Sequence, residues 1–493
     1  MYHFKYSFIG ILAGVAVLIS SCEKDLLHPV PPSILTTANA FNDAKSMNLA
    51  VLGAYNSLQS RVQSDYLIME LPSDNMWLDY AITPGSNQIN TLTVTPQNEV
   101  INSYWKANYT GIFRANAVLA NIDKPTDYGT GEKEQYTGEA EFLRAKFYFD
   151  LVRIFGGVPT VTKIVTAEES RNIARASEKD IYDLIVKDLT DAITKLPQPS
   201  NIAWGRASKA AAVALLAKVY VYQQDWQNAK KYLDELFSEF NYSLVPHYGD
   251  LFNIATEKNS EAIFSMPFVA GTNGQTLTYA LAPLGGIYDT INNGNRVGRP
   301  TWDLRSAFEK GDTRFSITMR DVFLPYNHKP GEDPIWWPYF NKWITPSDPN
   351  NSGLDIPILR LADMLLLDAE VLYNLNDLQG ALDQINKVRE RAFQNNSHDY
   401  TLADIPTKEK FYDKLLLERR LELACENNRW FDLVRTGRFV TVLQNVKGSY
   451  GSANGDGIVI TPVNAKEFMK YFPIPQEQID LAAKGVLAQN PDY

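Results

Sequence analysis

Two segments of the chain align with each other at a constant offset of 152 residues, and this internal repeat constrains the fold more than any other feature. The segments are ASKAAAVALLAKVYVYQQDWQNAKKYLDELF, from Ala207, and LRLADMLLLDAEVLYNLNDLQGALDQINKVR, from Leu359. Alanines coincide in both copies, and a polar turn falls at Asp225 in the first and at Asp377 in the second. Each copy therefore predicts a helix, a turn and a second helix, over about 34 residues.

The length of the repeat and the placement of its alanines predict a tetratricopeptide-like helical hairpin, in which small residues let two antiparallel helices approach closely. Other helices surround the hairpins. In SEKDIYDLIVKDLTDAITKL, Ser177 and Asp180 predict a capping box, and apolar residues follow at helical spacing until Pro197. We expect a mainly α fold: a helical-hairpin superhelix whose framework comprises residues 41–240 and 356–445.

Residues 241–355, between the two hairpins, have a different character. They are rich in Gly, Pro, Asn and aromatic residues, and only RPTWDLRSAFEKGDTRF looks partly helical. A connection this long is unusual unless it carries function, so we expect a loop-rich, partly β insert that carries the binding face. With a C-terminal segment, 446–493, the framework and the insert are expected to form a single domain, residues 41–493.

The sequence FDLVR occurs twice, at Phe149–Arg153 and at Phe431–Arg435. Glycine follows in both places, at Gly156 and Gly437. An arginine in the last turn and a glycine beyond it are typical of helix C-termini. We interpret both copies as structural features of helix C-termini.

The N-terminus has a positive residue, Lys5, then an apolar run too short to span a membrane, which predicts a signal peptide over residues 1–21. Ile19-Ser20-Ser21-Cys22 resembles the bacterial lipobox, in which the cysteine is acylated and becomes the first residue of the mature chain. A plain secretory peptide is the alternative. Residues 22–40 are acidic and then proline-rich, as suits a lipidated tether that holds a domain above a membrane.

Composition argues against several other functions. The net charge is −10 and Lys and Arg do not cluster, which disfavours nucleic acid as a partner. Five histidines are scattered without metal-ligand spacing, and no nucleotide or cofactor fingerprint stands out. We therefore expect no catalytic residues, no metal site and no cofactor.

Five segments, taken together and in order, resemble the SusD/RagB family of outer-membrane lipoproteins. They are EAEFLRAKFYFDLVRIFGGVP, GRASKAAAVALLAKVYVY, ILRLADMLLLDAEVLY, LERRLELACENNRWFDLVRTGR and the ending YFPIPQEQIDLAAKGVLAQNPDY. The resemblance implies a protein lipid-anchored at the outer membrane, facing the cell exterior, that binds a nutrient. It further implies a partner, a SusC-like TonB-dependent transporter, over which the protein acts as a lid.

The same resemblance implies the ligand class. Most members handle oligosaccharides or polysaccharides and some handle peptides, so both ligands stay open. The residues alone also leave a surface glycoside hydrolase open, because two carboxylates brought together from distant positions leave no local signature. The family is one of non-catalytic binders, which favours binding over hydrolysis.

A sugar-binding site needs exposed aromatic faces with planar polar partners. LPSDNMWLDYAITPGSN combines both in a predicted loop after the first helix, and family members often place ligand contacts in this neighbourhood; its candidates are Asp74, Asn75, Trp77 and Tyr80. The insert adds Tyr288, Asn292 and Arg296. Trp77 either contacts ligand or closes the end of the first helix, and Tyr288 either contacts ligand or packs in the core.

The stretch IWWPYFNKW, Ile335 to Trp343, supplies the remaining candidates. Trp336 and Trp337, between Pro334 and Pro338, are predicted to form a stacking surface in a loop of the insert. Tyr339 is a further candidate, left undecided between ligand and core. FNKWIT resembles a short strand of the family, which makes Trp343 a structural residue.

Overall fold

The computed structural model describes residues 41–78, 83–346, 348–446, 449–450, 457–458, 463 and 465–493. The predicted signal peptide, the tether and the lipidation site Cys22 lie outside the described residues. Within the described part of the chain, no helix combines the length and the apolar character needed to cross a membrane.

The first part of the described chain is mainly helical, and most of its helices begin at a side-chain cap. They are α1 (Ala44–Gln59), α2 (Val62–Met69), α3 (Pro84–Asn90), α4 (Glu99–Asn121), α5 (Glu132–Phe155), α6 (Ala167–Ser170) and α7 (Glu178–Lys195). The predicted capping box is present at α7, where the Ser177 side chain accepts from the Asp180 amide and Asp180 reaches back. Helix α5 packs between α4 and α7.

The repeat predicted from the offset is present as two hairpins. The first is α8 (Lys209–Tyr222) with α9 (Trp226–Glu239), and the second is α13 (Leu361–Asn374) with α14 (Leu378–Phe393). Asp225 and Asp377 both cap the second helix, accepting from the backbone amides of Asn228 and Gly380. The hairpins lie side by side through α9 and α13, which confirms the mainly α, tetratricopeptide-like architecture.

Short strands and helices make up the insert, as the sequence predicts. Its elements are β2 (Ala262–Met266), α10 (Leu277–Leu281), β3 (Arg299–Pro300), α11 (Trp302–Ala307), α12 (Arg314–Thr318), β4 (Met319–Phe323) and β5 (Ile335–Phe340). The strand β1 (Met76–Trp77) pairs with β3, β2 pairs with β6 (Ile356–Arg360), and β4 pairs with β5, all antiparallel. The framework and the insert are thus joined by strand pairing, since β1 precedes the insert and β6 follows it.

The chain ends with α15 (Lys408–Leu423), α16 (Arg429–Arg435), α17 (Phe439–Leu443), the strands β7 (Ser449–Tyr450) and β8 (Gly457–Ile458), and α18 (Gln476–Leu481). The two FDLVR copies lie at helix C-termini, and both following glycines have positive φ, 69° at Gly156 and 68° at Gly437. The copies also touch, because the Arg153 guanidinium carbon lies 3.8 Å from the ring centre of Phe431. Packing against Phe431, in addition to the helix dipole, therefore stabilises the position of the Arg153 side chain.

Candidate functional site

A two-stranded pairing brings the first candidate tryptophan to the insert. Trp77, in β1, lies directly opposite Arg299, in β3. Residues directly opposite in an antiparallel pair place their side chains on the same face. Trp77 is half-buried, whereas Arg299 is only 6% exposed.

The Arg299 side chain connects this pair to the second candidate tryptophan. Its guanidinium carbon lies 3.7 Å from the ring centre of Trp337, and its Nε donates a 3.2 Å hydrogen bond to the Pro338 carbonyl. A guanidinium stacked on an indole face is a favourable cation–π arrangement. Because Arg299 is buried, it supports the Trp337 ring from within the protein. We call Trp77, Trp337 and Arg299 the aromatic platform.

Arg296 contributes the polar edge of the platform. Its guanidinium carbon lies 5.6 Å from the Trp337 ring centre, and the residue is half-exposed. The backbone of Arg296 has φ of 44°, and its amide donates to the Ala282 carbonyl at 2.9 Å. This fixed, strained conformation directs the chain from α10 back toward β3.

Tyr288 and Asn292 lie on the same loop as Arg296, and both are exposed, Tyr288 by 52%. The loop is anchored by the Tyr288 amide, which donates to the Leu324 carbonyl at 2.8 Å. Gly286 has φ of 75°, and a Cβ there would lie 2.3 Å from the Ile291 carbonyl oxygen, so the tight turn requires glycine. Both side chains are therefore presented to solvent by a rigid loop.

Asp74 and Asn75 are not ligand contacts, contrary to the sequence-based prediction. They are 2% and 0% exposed. Two nitrogens of Arg429 bind the two Asp74 carboxylate oxygens at 2.7 and 2.9 Å, and the Arg420 Nε donates to the Asn75 side chain at 2.8 Å. Buried polar side chains need such partners, and here the partners are provided by α15 and α16.

Hydrogen bonds to Asp74 and Asn75 also fix the position of β1 relative to β3, and so the position of the platform. Thr301, directly after β3, donates its hydroxyl to the Asp74 carbonyl at 2.5 Å and its amide to the Asn75 carbonyl at 2.9 Å. Burial alone would raise the pKa of Asp74, but the charges of Arg420 and Arg429 outweigh it and lower the pKa to about 2. Asp74 is therefore an anion at neutral pH that fixes the loop leading to Trp77.

The stretch IWWPYF forms strand β5, so the predicted loop is wrong. Successive side chains of a strand point to opposite faces. Trp336 lies opposite Val322 of β4, but a register shift between Arg320 and Val322 interrupts this alternation at Trp337, so the strand pairing does not place the two rings on one regular surface. Trp336 is half-buried, and Tyr339, at 2% exposure, is a core residue that a ligand cannot reach.

The end of the same stretch also differs from its prediction. Asn341 to Thr345 form no strand, since β5 already ends at Phe340. Trp343 is structural as predicted, with 1% exposure and an indole N–H that donates to the Cys425 carbonyl at 2.9 Å. Tyr80, the remaining candidate, lies outside the described residues.

Arg299 is the site residue that sequence reasoning missed. It lies in GNRVGRP, three residues beyond Arg296. Its importance depends on the pairing of β1 with β3, two strands more than 200 residues apart in the chain. No local sequence pattern predicts that two strands of only two residues each will pair. Across the described residues, no cluster of three or more His, Cys, Asp or Glu side chains is suited to a metal ion.

Fold and site together define a helical-repeat binding protein with an aromatic platform on its insert. Two family models match the chain, "SusD family" over residues 324–493 and "Starch-binding associating with outer membrane" over residues 37–221. SusD-like protein P25 of Formosa agariphila is 27% identical, with 96% of each chain covered. Starch-binding protein SusD of Bacteroides thetaiotaomicron is 24% identical, with 86% of this chain and 84% of that protein covered.

Solved structures agree in fold. A SusD-like protein from Bacteroides fragilis matches with a TM-score of 0.77 and 23% identity, covering 95% of this chain and 99% of that one. Surface glycan-binding protein A from Bacteroides thetaiotaomicron, in complex with laminarihexaose, matches with a TM-score of 0.74 and 24% identity, covering 90% and 99%. The chain belongs to the SusD/RagB family. Several of these relatives and structural neighbours are named for binding starch, laminarin or surface glycans.

Proposed function

We propose that this chain captures a glycan at the cell surface and delivers it to a SusC-like TonB-dependent transporter, over which it acts as a lid. The observation that supports glycan capture most directly is the platform: two half-buried tryptophans held around the buried Arg299, with Arg296 at the edge. A pyranose ring offers an apolar C–H face to an indole and hydroxyls to polar groups beside it. Relatives named for starch binding and a neighbour solved with laminarihexaose favour a glycan over a peptide.

Replacing one ring tests the platform. Trp337→Ala and Trp77→Ala should each weaken glycan binding by about 1–3 kcal/mol, the scale of a lost aromatic anchor. Trp336→Ala is the matched control, because it removes the neighbouring half-buried ring, which pairs with Val322 of β4 and is not part of the platform. Affinities would be measured by calorimetry against a panel of oligosaccharides and peptides, with thermal melts to confirm folding. Equal affinities in all four proteins would refute the platform, and binding of peptides alone would refute the ligand class.

Anchoring at the outer membrane through lipid on Cys22 completes the proposal. The description of the N-terminal family model supports association with the outer membrane, and the lipobox-like Ile19–Cys22 supports lipid as the means. Cys22→Ala should move the protein from the membrane fraction to the soluble fraction, since the acyl chains supply the hydrophobic attachment. Retention of the variant on washed membranes would argue against a lipid anchor.

A further inference from the structure

A groove of about 1000 Å³ lies on the helical framework and shares no residue with the aromatic platform. One side of the groove is formed by α9, the second helix of the first hairpin, and by the extended chain that follows α9. The other side is formed by α14, the second helix of the second hairpin. Leu361 and Leu365 of α13 are buried and line it. The volume is at the upper end of the range for sites that hold small ligands.

The two walls of the groove differ in chemistry. One wall is aromatic and apolar: Phe237 on α9, then Tyr242 and Leu244 on the extended chain, all half-buried. The other wall is polar, with Gln384, Lys387, Arg391 and Gln394. Their spacing of three or four residues places them on one face of α14 and its C-terminal end.

Arg391 is the buried member of the polar wall. It is 7% exposed, and its two terminal nitrogens bind Glu261 at 3.1 Å and Glu422 at 2.5 Å. Its Nε, in contrast, is buried and meets no hydrogen-bond acceptor anywhere in the described part of the chain. The carboxylates of Glu261 and Glu422 therefore engage only the two terminal nitrogens of Arg391.

The charges of the groove indicate a neutral ligand. Arg391 is ion-paired with Glu261 and Glu422, which also bind Arg360, and the exposed lining residues Lys387 and Glu390 carry opposite charges. An aromatic wall facing side-chain amides suits a sugar ring, which presents C–H groups on its face and hydroxyl oxygens at its edge. We propose that this groove is a second binding site, for a neutral oligosaccharide, separate from the platform.

The Trp77→Ala/Trp337→Ala double variant lacks both platform rings, so calorimetry with this variant measures oligosaccharide binding at the groove without a contribution from the platform. The probes are maltohexaose, laminarihexaose, cellohexaose, xylohexaose and mannohexaose, each raised to millimolar concentration. We expect at least one probe to bind the double variant, and this residual affinity to fall about tenfold or more when Tyr242→Ala is added. Tyr242→Phe keeps the ring and removes only the hydroxyl, so it should retain the residual affinity and serves as the matched control.

The outcomes separate the two sites. Absence of residual binding for every probe would overturn the groove, and so would residual binding that is unchanged by Tyr242→Ala. A Tyr242→Ala effect in a protein whose affinity does not respond to Trp77→Ala or Trp337→Ala would instead support the groove and refute the platform. Thermal melts of each variant confirm that the loss of binding is not a loss of folding.

Discussion

Asp368, on α13, shows how a single buried carboxyl shapes stability at the residue scale. It is 2% exposed and accepts one hydrogen bond, 2.6 Å from the Gln384 Nε2. Its Oδ1 has no hydrogen-bond partner within the described ranges. Burial raises its pKa to about 6, although the charge of Lys230 opposes the shift. The folded state therefore binds this proton more tightly than the unfolded state does.

The sign of the effect follows from linkage. A raised pKa contributes stability that is complete below the unfolded value near 3.8 and is lost as pH rises through about 6. Asp368→Asn removes the buried charge, so it should raise the free energy of unfolding by roughly 1–3 kcal/mol at pH 8 and by much less at pH 4.5. Urea titrations at both pH values measure the difference. An equal effect at the two values would show that Asp368 does not titrate in this range.

The candidate site divides at this same scale into residues that sequence reasoning could assign and residues that it could not. Trp77, Trp337 and Arg296 are predicted from composition alone, and the structure brings them to one place. Asp74 and Asn75 share that composition but are buried, because their partners Arg429 and Arg420 come from about 350 residues away. The sequence shows directly that a residue is polar, but whether that residue is buried depends on contacts with distant parts of the chain.

At the scale of elements, the hairpins were predictable because their signals are local. Asp225 and Asp377 have nearly identical backbones, with φ and ψ of −85° and 79° in one and −94° and 80° in the other. The residue before each has positive φ, 58° at Gln224 and 67° at Asn376. The same polar turn, capped by the same side-chain type, produces the same connection twice.

Strand β5 was mispredicted for a physical reason. Pro334 and Pro338 indicate a loop, since proline cannot donate to a ladder. Proline is nevertheless tolerated at the edge of a sheet, and among the described residues β5 pairs with one strand, β4. Whether a segment finds such a partner depends on the fold around it. This pairing, in turn, sets Trp336 opposite Val322 and leaves Trp337 at a register shift.

Over the whole molecule, we propose that residues 41–493 fold as one domain. In the described part of the chain, the larger of two clusters of buried apolar side chains extends from Phe41 to Leu487. Lys218 of the first hairpin is 5% exposed and bonds Asp363 and Asn428, at 2.7 and 2.8 Å, both in the C-terminal half. Arg153 packs on Phe431 across the same boundary.

The fragment 41–240, expressed alone, should therefore lack fixed tertiary structure. It would lose both partners of Lys218 and the Phe431 ring that packs on Arg153, and an unpaired buried charge and exposed apolar faces are both costly. Near-ultraviolet circular dichroism and thermal melts measure this, with chain 41–493 as the control. A cooperative melt and a native-like spectrum for the fragment would instead indicate an N-terminal domain that folds independently.

By itself, the sequence determined the class of fold, the hairpin repeats and the family resemblance, because periodicity, caps and turn residues act over short stretches of chain. The tertiary structure alone decided which polar residues are exposed, which tryptophans converge and that Arg299 joins them. Each of these depends on contacts between strands and helices far apart in the chain. Their energies arise from burial and pairing, and neither exists until the chain has folded.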